Sequence, residues 1–482
     1  MPSLKDVCGE ICYMGKWNAG KEQSGVNHSS KKRRLSTTQN IMLGFLAAIL
    51  CGTFLLTLPV SVAEGNPDWL TSLFTATTSV CVTGLVVVDT FSHWTLFGKI
   101  VILILIQLGG LGIVAFTSTL MLLTRKKVGL QNRMLIQDAY GLNNLQGLVR
   151  FVRKVVIGTL CVELFGMLCY LPAFISRFGA ARGIWYALFN SVSAFCNAGI
   201  DIMGPDSLAS FSGSPSVLIT TMFLIVMGGI GFVVWWDVLE VLRNIVKKKI
   251  RGRDFWRKLA LHSRLVLLVT AILIVAGWLI LLLLEYNNPE TVGNMSFGDK
   301  LLNCAFQSVT LRTAGFASVN QAGLTDSSTL LCLIWMLIGG SPVGTAGGIK
   351  TVTMAVLVCT VISVIKGRNE TVVFHKSISE NLIKRSLAVT LISLGVLCVL
   401  NVLLMVTNGL SLTDSLFEVC SAIATVGLSR GVTGGLNIAG KLIIVVAMYL
   451  GRIGPISMFV AFSNKYSIQN SIHYAEADII VG

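Results

Sequence analysis

A phrase of about a dozen residues occurs four times along the chain, and its residue types suit the binding of a bare cation. Each copy has a Phe, then small and hydroxylated residues, then a Gly followed by a large apolar residue. The copies are Leu73–Leu85, Leu188–Ile200, Ala305–Phe316 and Leu416–Leu428. The Gly lies ten residues after the Phe in three copies and nine residues after it in the third. Four similar segments predict four quarters of one ring, and a ring of backbone carbonyl groups can replace the water around an ion.

A dehydrated K⁺ needs several oxygen ligands, which consecutive carbonyl groups supply when the backbone turns them inward. The Gly of each copy permits backbone angles that are closed to other residues. Small residues in membrane helices more often serve helix packing, which is the better interpretation of a single copy but not of four. The residues predicted to bind the ion are Val82, Thr83, Gly84, Asn197, Ala198, Gly199, Thr313, Ala314, Gly315, Thr425, Val426 and Gly427.

A second glycine-rich site follows each phrase, 24 to 29 residues after its last Gly. These sites are Gly109–Gly112, Gly228–Gly231, Gly339–Gly340 and Gly451–Gly454. Two features that repeat in register indicate duplicated units with pseudo-fourfold symmetry.

The third unit differs from the others after its glycine-rich site. Pro342 and five glycines between Gly339 and Gly348 are expected to interrupt the helix within the membrane. We expect the interrupted segment to form a loop beneath the ion-binding ring that can obstruct the pore, and a simple packing kink is the alternative. The residues assigned to this gate are Gly344, Thr345, Ala346, Gly347, Gly348, Lys350 and Arg452.

Arg452 stands where the other three sites have their second Gly. An Arg within the membrane is costly and is a functional candidate by default. We expect it to repel cations or to stabilise a closed loop, and the alternative is a salt bridge that only holds helices together. Arg312, three residues before Gly315, is expected to support the ring, because a guanidinium inside it would oppose cations.

The composition excludes a soluble protein. The chain has 482 residues, of which 54% are hydrophobic and 13% charged, and its mean hydropathy is +0.76. These values indicate a polytopic α-helical membrane protein, and the alternating strands of an outer-membrane barrel are not evident. No Ser/His/Asp grouping or HExxH motif supports an enzyme.

The net charge of +15 is better explained by membrane topology than by nucleic-acid binding. Of the 38 Lys and Arg residues, 28 lie in the segments 1–40, 125–154, 243–264 and 366–385. We therefore expect these segments and both termini in the cytoplasm and the acidic loops between them outside, where they would gather cations.

Eight apolar stretches are predicted to span the membrane: Ile41–Pro59, Leu96–Leu123, Val155–Ile175, Val217–Val246, Leu265–Leu284, Leu330–Ile365, Leu387–Val406 and Leu442–Phe462. Each pair of spans brackets one short segment: Asp68–Val80, Ile184–Phe195, Phe297–Thr310 or Thr413–Ala422. A dozen helical residues cover about 18 Å, which is too short for a hydrocarbon core of about 30 Å, so these segments are predicted to be re-entrant. Asn66 is the predicted N-cap of the first, and Ser411 or Thr413 that of the fourth.

The predicted fold is therefore an all-α polytopic membrane protein in which four helix–pore-loop–helix repeats surround one pore. It has eight spanning helices and four re-entrant half-helices in a pseudo-fourfold arrangement. The predicted boundaries are a basic arm 1–35, repeat units 36–124, 125–246, 247–365 and 366–464, and a tail 465–482.

Several motifs together resemble the Trk/Ktr/HKT superfamily of K⁺ transporters, and residues 36–482 are most similar to the membrane subunit of bacterial Ktr systems. The motifs are VTGL (Val82–Leu85), CNAGI (Cys196–Ile200), RTAGF (Arg312–Phe316), TVGL (Thr425–Leu428), SPVGTAGGIKT (Ser341–Thr351) and GRIGP (Gly451–Pro455).

This resemblance implies a homodimer in the bacterial cytoplasmic membrane, with one pore in each protomer and a cytosolic ring of nucleotide-binding regulatory subunits. It implies K⁺ uptake without a covalent cofactor, stimulated by Na⁺, and a gate formed by the loop of the third unit together with Arg452. Some plant relatives that favour Na⁺ carry Ser in place of the Gly of the first phrase. Gly84 therefore favours K⁺.

Two alternatives stay open beside a K⁺-conducting subunit. One is a Na⁺-permeable or weakly selective transporter of the same superfamily, which fluxes of K⁺ and Na⁺ would distinguish. The other is a membrane-embedded enzyme or sensor on the same scaffold, which rescue of K⁺-limited growth would distinguish.

Overall fold

The structure is a computed structural model that describes residues 37–63, 65–112, 148–204, 206–249 and 251–454. The predicted terminal segments 1–35 and 465–482 lie outside these ranges, as does most of the basic segment 125–154.

The described part of the chain is mostly helical. The helices are α1 (Thr37–Leu56), α2 (Trp69–Cys81), α3 (Thr90–His93), α4 (Leu96–Leu111), α5 (Leu148–Phe178), α6 (Ala180–Cys196), α7 (Pro215–Gly229), α8 (Phe232–Val246), α9 (Phe255–Lys258), α10 (Leu261–Glu285), α11 (Phe297–Thr310), α12 (Asp326–Leu337), α13 (Thr351–Ile365), α14 (Glu380–Asn408), α15 (Leu412–Ile423) and α16 (Ile438–Ile453). A two-stranded antiparallel hairpin, β1 (Val372–Val373) and β2 (Lys376–Ser377), lies between α13 and α14.

Four helices among the described residues are long and apolar enough to cross a membrane, namely α1, α5, α10 and α14. The bent pair α7 and α8 would make a fifth span if counted as one. Helices α4, α12 and α13 are apolar but shorter. The predicted spans Leu96–Leu123 and Leu442–Phe462 begin as helices, but α4 ends at Leu111, α16 ends at Ile453, and their remainders lie outside the described residues.

The predicted span Val217–Val246 is not one continuous helix. The chain bends by 99° between α7 and α8, and Gly231 at the bend has φ +89°. The Phe232 amide donates to the Val343 carbonyl oxygen at 3.0 Å instead of continuing the helix. The partner of this amide comes from a distant segment, so the local apolar pattern could not reveal the break.

The interruption predicted within Leu330–Ile365 is present. Helix α12 ends at Leu337 and α13 begins at Thr351, and the non-helical segment between them is called the intramembrane loop below (residues 338–350). Its ends are joined by hydrogen bonds from Gly339 N to Ile349 O and from Ile349 N to Leu337 O, at 3.0 and 3.1 Å.

Four short helices, α2, α6, α11 and α15, lie where the re-entrant segments were predicted. The Asp68 carboxylate caps α2 by accepting from the Leu70 and Thr71 amides, so the prediction of Asn66 as the cap is wrong. Asp68 is the cap because its side chain reaches the first free amides of the helix, which need an acceptor. Ser296 and Ser411 cap α11 and α15.

The short helices pack against the other helices in a cyclic order. Each contacts the long helix before it, in the pairs α1–α2, α5–α6, α10–α11 and α14–α15. Each also contacts a helix from elsewhere, in the pairs α4–α6, α7–α11, α12–α15 and α16–α2. The last pair closes the order, because α16 near the end of the described chain lies against α2 near its beginning.

The glycine-rich sites allow this close approach. A Cβ on Gly109, Gly228 or Gly451 would meet a carbonyl oxygen at or near the end of a short helix, that of Val80 in α2, Phe195 in α6 and Ile423 in α15, respectively. Each of these carbonyls belongs to the residue four before the last Gly of its phrase. The first Gly of the third site departs from this pattern, because Gly339 packs against the intramembrane loop at Gly347.

We expect Gly109→Ala to destabilise the protein by about 1–3 kcal/mol, because its Cβ would press on rigid backbone at Val80. Gly395→Ala in α14 is the matched control, since a Cβ there meets nothing within 4 Å. The melting temperatures of the two detergent-solubilised variants measure the difference. Equal melting temperatures would contradict close packing at Gly109.

Candidate functional site

The four segments predicted to bind the ion share an unusual backbone conformation. Two residues before each Gly stands a non-glycine residue in the left-handed region, namely Val82 (φ 56°), Asn197 (φ 59°), Thr313 (φ 67°) and Thr425 (φ 51°). The glycines also have positive φ, with Gly84 at 100°, Gly199 at 65°, Gly315 at 82° and Gly427 at 94°. Residues other than Gly adopt this region rarely, so its recurrence at one position in four segments marks a specific local structure.

These segments also contact one another in sequence around a closed circuit. A Cβ built on Gly84 would lie 2.6 Å from the Ala198 carbonyl oxygen, and one on Gly199 would lie 2.5 Å from that of Ala314. A Cβ on Gly315 would lie 2.5 Å from the Val426 carbonyl oxygen.

The circuit closes at Gly427, whose Cβ would meet the Thr83 carbonyl oxygen. Only Gly fits at these positions without displacing the next segment. The structure thus brings together the four stretches that the sequence analysis selected.

A hydroxyl group from each short helix holds the segment that follows it. Thr78 Oγ1 accepts from the Gly84 amide at 2.9 Å, and Ser421 Oγ accepts from the Gly427 amide at 3.0 Å. Ser193 Oγ donates to the Ile200 carbonyl and Thr310 Oγ1 to the Phe316 carbonyl. The hydroxyl lies six residues before the Gly in three copies and five before it in the third, so the residue that the third phrase lacks falls between the hydroxyl and the Gly.

A cavity of about 290 Å³ lies against the four glycines and is also lined by Asp89 and Asp201. Asp201 lies in the loop between α6 and α7, directly after the second segment. Burial raises its pKa to about 6, the Ser207 hydroxyl and the Met203 amide oppose this by hydrogen bonding to it, and the nearby charge of Asp89 adds to it. Ionised carboxyl groups at this cavity would raise the local cation concentration.

The intramembrane loop is held by backbone hydrogen bonds to the break between α7 and α8. Ser341 N donates to Gly229 O at 2.9 Å and Thr345 N to Gly228 O at 3.2 Å, in addition to the Phe232–Val343 bond. Backbone that leaves helical form inside a bilayer needs such partners, because lipid offers none. The intramembrane loop and the break between α7 and α8 therefore supply hydrogen-bond partners for each other's backbone groups.

The residues assigned to the gate lie close together at this loop. Arg452 donates from Nη1 to the Thr345 carbonyl and from Nη2 to the Gly109 carbonyl. Lys350 donates from Nζ to the Ala346 carbonyl at 2.7 Å. The remaining assigned residues, Gly344, Gly347 and Gly348, also lie in the loop. Gly344 contacts the Gly228–Gly231 break and Gly347 contacts Thr425.

Arg312 points away from the cyclic circuit and donates from Nη2 to Thr270 Oγ1 in α10 at 3.3 Å. Its side chain is buried. Its support of the ring stays a prediction.

Two of the buried carboxyl groups, those of Glu418 and Glu163, are not among the residues predicted from the sequence. Glu418 in α15 accepts hydrogen bonds from Ser429 Oγ, from the Arg430 amide at 3.2 Å and from Thr433 Oγ1 at 2.7 Å, so it fixes the loop that follows Gly427. Arg430 continues this support, because its Nε pairs with Asp414 at 2.9 Å.

Glu163 in α5 is the second. It accepts from Gln107 Nε2 of α4 at 3.2 Å, and its backbone carbonyl accepts from Ser191 Oγ of α6. A carboxyl group within an apolar segment is costly to bury, and that signal in the sequence could have identified both residues.

Comparisons with known proteins agree with one another. Residues 20–474 match the TrkH family, described as a cation transport protein. The chain is 36% identical to the Ktr system potassium uptake protein B of Bacillus subtilis over 93% of this chain and 97% of that protein. It is 34% identical to the potassium/sodium uptake protein NtpJ of Enterococcus hirae over 94% and 98% of the two chains.

A solved structure has the same fold. The potassium transporter TrkH from Vibrio parahaemolyticus matches with a TM-score of 0.71 and 16% identity, over 95% of this chain and 89% of that one.

We expect Thr78→Val to lower the free energy of unfolding by about 1–3 kcal/mol, because the buried Gly84 amide would lose its acceptor. Thr78→Ser keeps a hydroxyl at the same place and is the control. Thermal unfolding in detergent compares them, and a Val variant as stable as the Ser variant would show that the hydroxyl does not hold this segment.

Proposed function

The chain belongs to the TrkH family of cation transport proteins, and from this premise we propose that it carries K⁺ across the cytoplasmic membrane through a ring of backbone carbonyl groups. The family and the apolar helices make it a multi-pass membrane protein. The ring would be formed by Val82–Gly84, Asn197–Gly199, Thr313–Gly315 and Thr425–Gly427.

The closed circuit of carbonyl and glycine contacts is the observation that carries this proposal. Each of the oxygens of Thr83, Ala198, Ala314 and Val426 lies against the Gly of another segment. Four equivalent segments around one axis would present carbonyl oxygens to a dehydrated cation. The same circuit supports four helix–pore-loop–helix repeats in a pseudo-fourfold arrangement, with α2, α6, α11 and α15 as the pore helices.

The intramembrane loop and Arg452 are proposed as the gate. The guanidinium binds the loop at Thr345 and α4 at Gly109, so it joins elements from the third, fourth and first repeats. A positive charge beneath the ring would also oppose a cation in the pore. Opening would require the loop to leave both Arg452 and the break between α7 and α8.

The Ktr-type relatives support a membrane subunit that works with others. We propose a homodimer with a cytosolic nucleotide-binding regulatory subunit and with Na⁺ as an activator. Both termini would lie in the cytoplasm, since the basic segments 243–264 and 366–385 flank the predicted inner ends of the helices.

A Na⁺-permeable or weakly selective transporter is the second candidate. The name of the Enterococcus hirae relative includes both ions, which favours keeping this candidate. Gly84 in the first segment favours K⁺, because the ring then has a Gly in all four strands.

The protein is expected to rescue growth of an uptake-deficient bacterium on limiting K⁺, and Gly84→Ser is expected to reduce K⁺ over Na⁺ discrimination by at least about tenfold. A Ser side chain at Gly84 would press on the Ala198 carbonyl, and misplacing a ligand carbonyl costs on the order of 1.4 kcal/mol or more. Uptake of ⁸⁶Rb⁺ with Na⁺ as competitor measures the discrimination.

Gly367→Ser is the control for this experiment, since Gly367 also has positive φ (60°) but open space around it. Failure of the wild-type chain to rescue growth, with and without a Ktr regulatory subunit, would contradict K⁺ uptake. Unchanged discrimination in the Gly84 variant would remove the first segment from the ring.

The apparent affinity for external K⁺ is expected to fall as the pH drops through about 6. Asp201 is ionised above its raised pKa and neutral below it, so acid removes a negative charge from the mouth of the ring. We expect about a three- to fivefold rise in KM between pH 7.5 and 5, and Asp201→Asn should show the high KM at both pH values. Asp206→Asn, in the same loop, should keep the pH dependence, and a wild-type KM that ignores pH would contradict this role.

A further inference from the structure

Thr345 uses all three of its polar groups to join separate parts of the structure. Its amide donates to Gly228 O, its hydroxyl donates to the Phe195 carbonyl at 3.2 Å, and its own carbonyl accepts from Arg452. The residue is 1% exposed. One loop residue thus contacts the end of α7, the end of α6 and the arginine of α16.

The Phe195 carbonyl has a special position at the end of α6. Phe195 lies two residues before Asn197, where the chain turns into the second segment of the ring. The last carbonyl groups of a helix lack partners within it. The two carbonyls before this one are used by the turn, since Asn197 N bonds to Ala194 O and Ala198 N to Ser193 O. The hydroxyl of Thr345 takes the next one.

Quasi-equivalent carbonyls occur at the ends of the other three short helices, at Val80, Leu311 and Ile423. Among the described residues, a side chain of the intramembrane loop donates a hydrogen bond to the Phe195 carbonyl. The carbonyls of Val80, Leu311 and Ile423 accept no such bond from the described side chains. All three of Val80, Phe195 and Ile423 are packed against the first Gly of a glycine-rich site, so the loop hydroxyl is what sets Phe195 apart. The second quarter of the ring is therefore the one that a side-chain hydrogen bond joins to the loop.

A second contact connects the same loop to the fourth quarter. A Cβ on Gly347 would meet Thr425 Oγ1 and would lie 3.1 Å from the Ala424 carbonyl oxygen. The loop therefore touches two quarters of the ring on opposite sides. A loop displaced enough to open the pore would withdraw support from both.

We propose that Thr345 is a positioning residue that couples the intramembrane loop to the ion-binding ring, so that opening the loop changes the ring's cation selectivity. This inference rests on the proposed function of loop and ring. With the loop in place, the hydroxyl fixes the end of α6 and hence the Asn197–Gly199 strand. When the loop leaves, the Phe195 carbonyl loses its donor and the strand gains freedom.

The test compares Thr345→Val, which keeps the branched shape and loses the donor, with Thr345→Ser, which keeps the donor. In proteoliposomes, Thr345→Val is expected to raise ⁸⁶Rb⁺ uptake and to lower K⁺ over Na⁺ discrimination, each about fivefold, the effect of one hydrogen bond of ordinary net strength. Thr345→Ser should restore both toward wild type. Thr390→Val in α14 is the matched control, because it removes a hydroxyl bonded only to its own helix at Ser386.

A second readout does not depend on transport. The melting temperature of the detergent-solubilised protein is measured against K⁺ and Na⁺ concentration, since a bound ion stabilises the folded state. The half-saturating Na⁺ concentration divided by the half-saturating K⁺ concentration should fall about fivefold in the Val variant and stay unchanged in the Ser variant. Wild-type protein stabilised equally by both ions would refute selective K⁺ binding in the proposed function itself.

Two outcomes would overturn the coupling while leaving the proposed function intact. One is a Thr345→Val variant with faster uptake but unchanged discrimination in both assays, which would make Thr345 a latch for the loop alone. The other is a Thr345→Ser variant that behaves like the Val variant, which would show that shape and not the hydroxyl matters.

Discussion

A backbone group inside a bilayer must find its hydrogen-bond partner within the protein, and this constraint applies to the non-helical segments that lie among the apolar helices of the described chain. The four ring segments, the intramembrane loop and the break between α7 and α8 all leave helical form. Hydroxyl groups of Thr78 and Ser421 satisfy ring amides, and the loop and the break exchange backbone bonds. In the proposed function, the carbonyl groups of the four segments would bind a cation, whose charge would replace the missing donor.

Close approach is the second requirement, and glycine meets it. The ring glycines let the carbonyl of one segment lie against the backbone of another. Glycines such as Gly109 and Gly451 let helices pack on the carbonyls at the ends of the short helices. In lipid, helices associate through such packing, since the solvent offers no hydrophobic driving force between them. At the third glycine-rich site this packing is replaced by contact between Gly339 and the intramembrane loop at Gly347.

Much of the site could be predicted because it repeats. One phrase with one Gly is ambiguous, but four copies selected segments that the structure brings into one circuit, and the helix-breaking residues around Pro342 predicted the interruption of the helix. The bend at Gly231 could not be predicted, since it depends on a bond to Val343 over a hundred residues away. The prediction of Asn66 as the cap of α2 is wrong because Asn66 and Asp68 are both good N-cap residues, and only the geometry of the chain chooses between them.

The buried carboxyl groups show a different limit. Glu163 and Glu418 lie in apolar stretches of the sequence. This indicates that burying their carboxyl groups is costly, but it does not show which groups offset that cost. The structure supplies partners from other helices and loops, Gln107 for one and Thr433 for the other. Such networks depend on tertiary contact, which residue spacing along the chain does not encode.

Anomalous scattering from Rb⁺ in crystals of the protein locates the bound ion directly. A ring of carbonyl ligands predicts a strong peak on the axis between Gly84, Gly199, Gly315 and Gly427, within ligand distance of carbonyl oxygens from all four segments, and its loss when Na⁺ replaces Rb⁺. Peaks confined to the acidic mouth, with none among the four glycines, would contradict it.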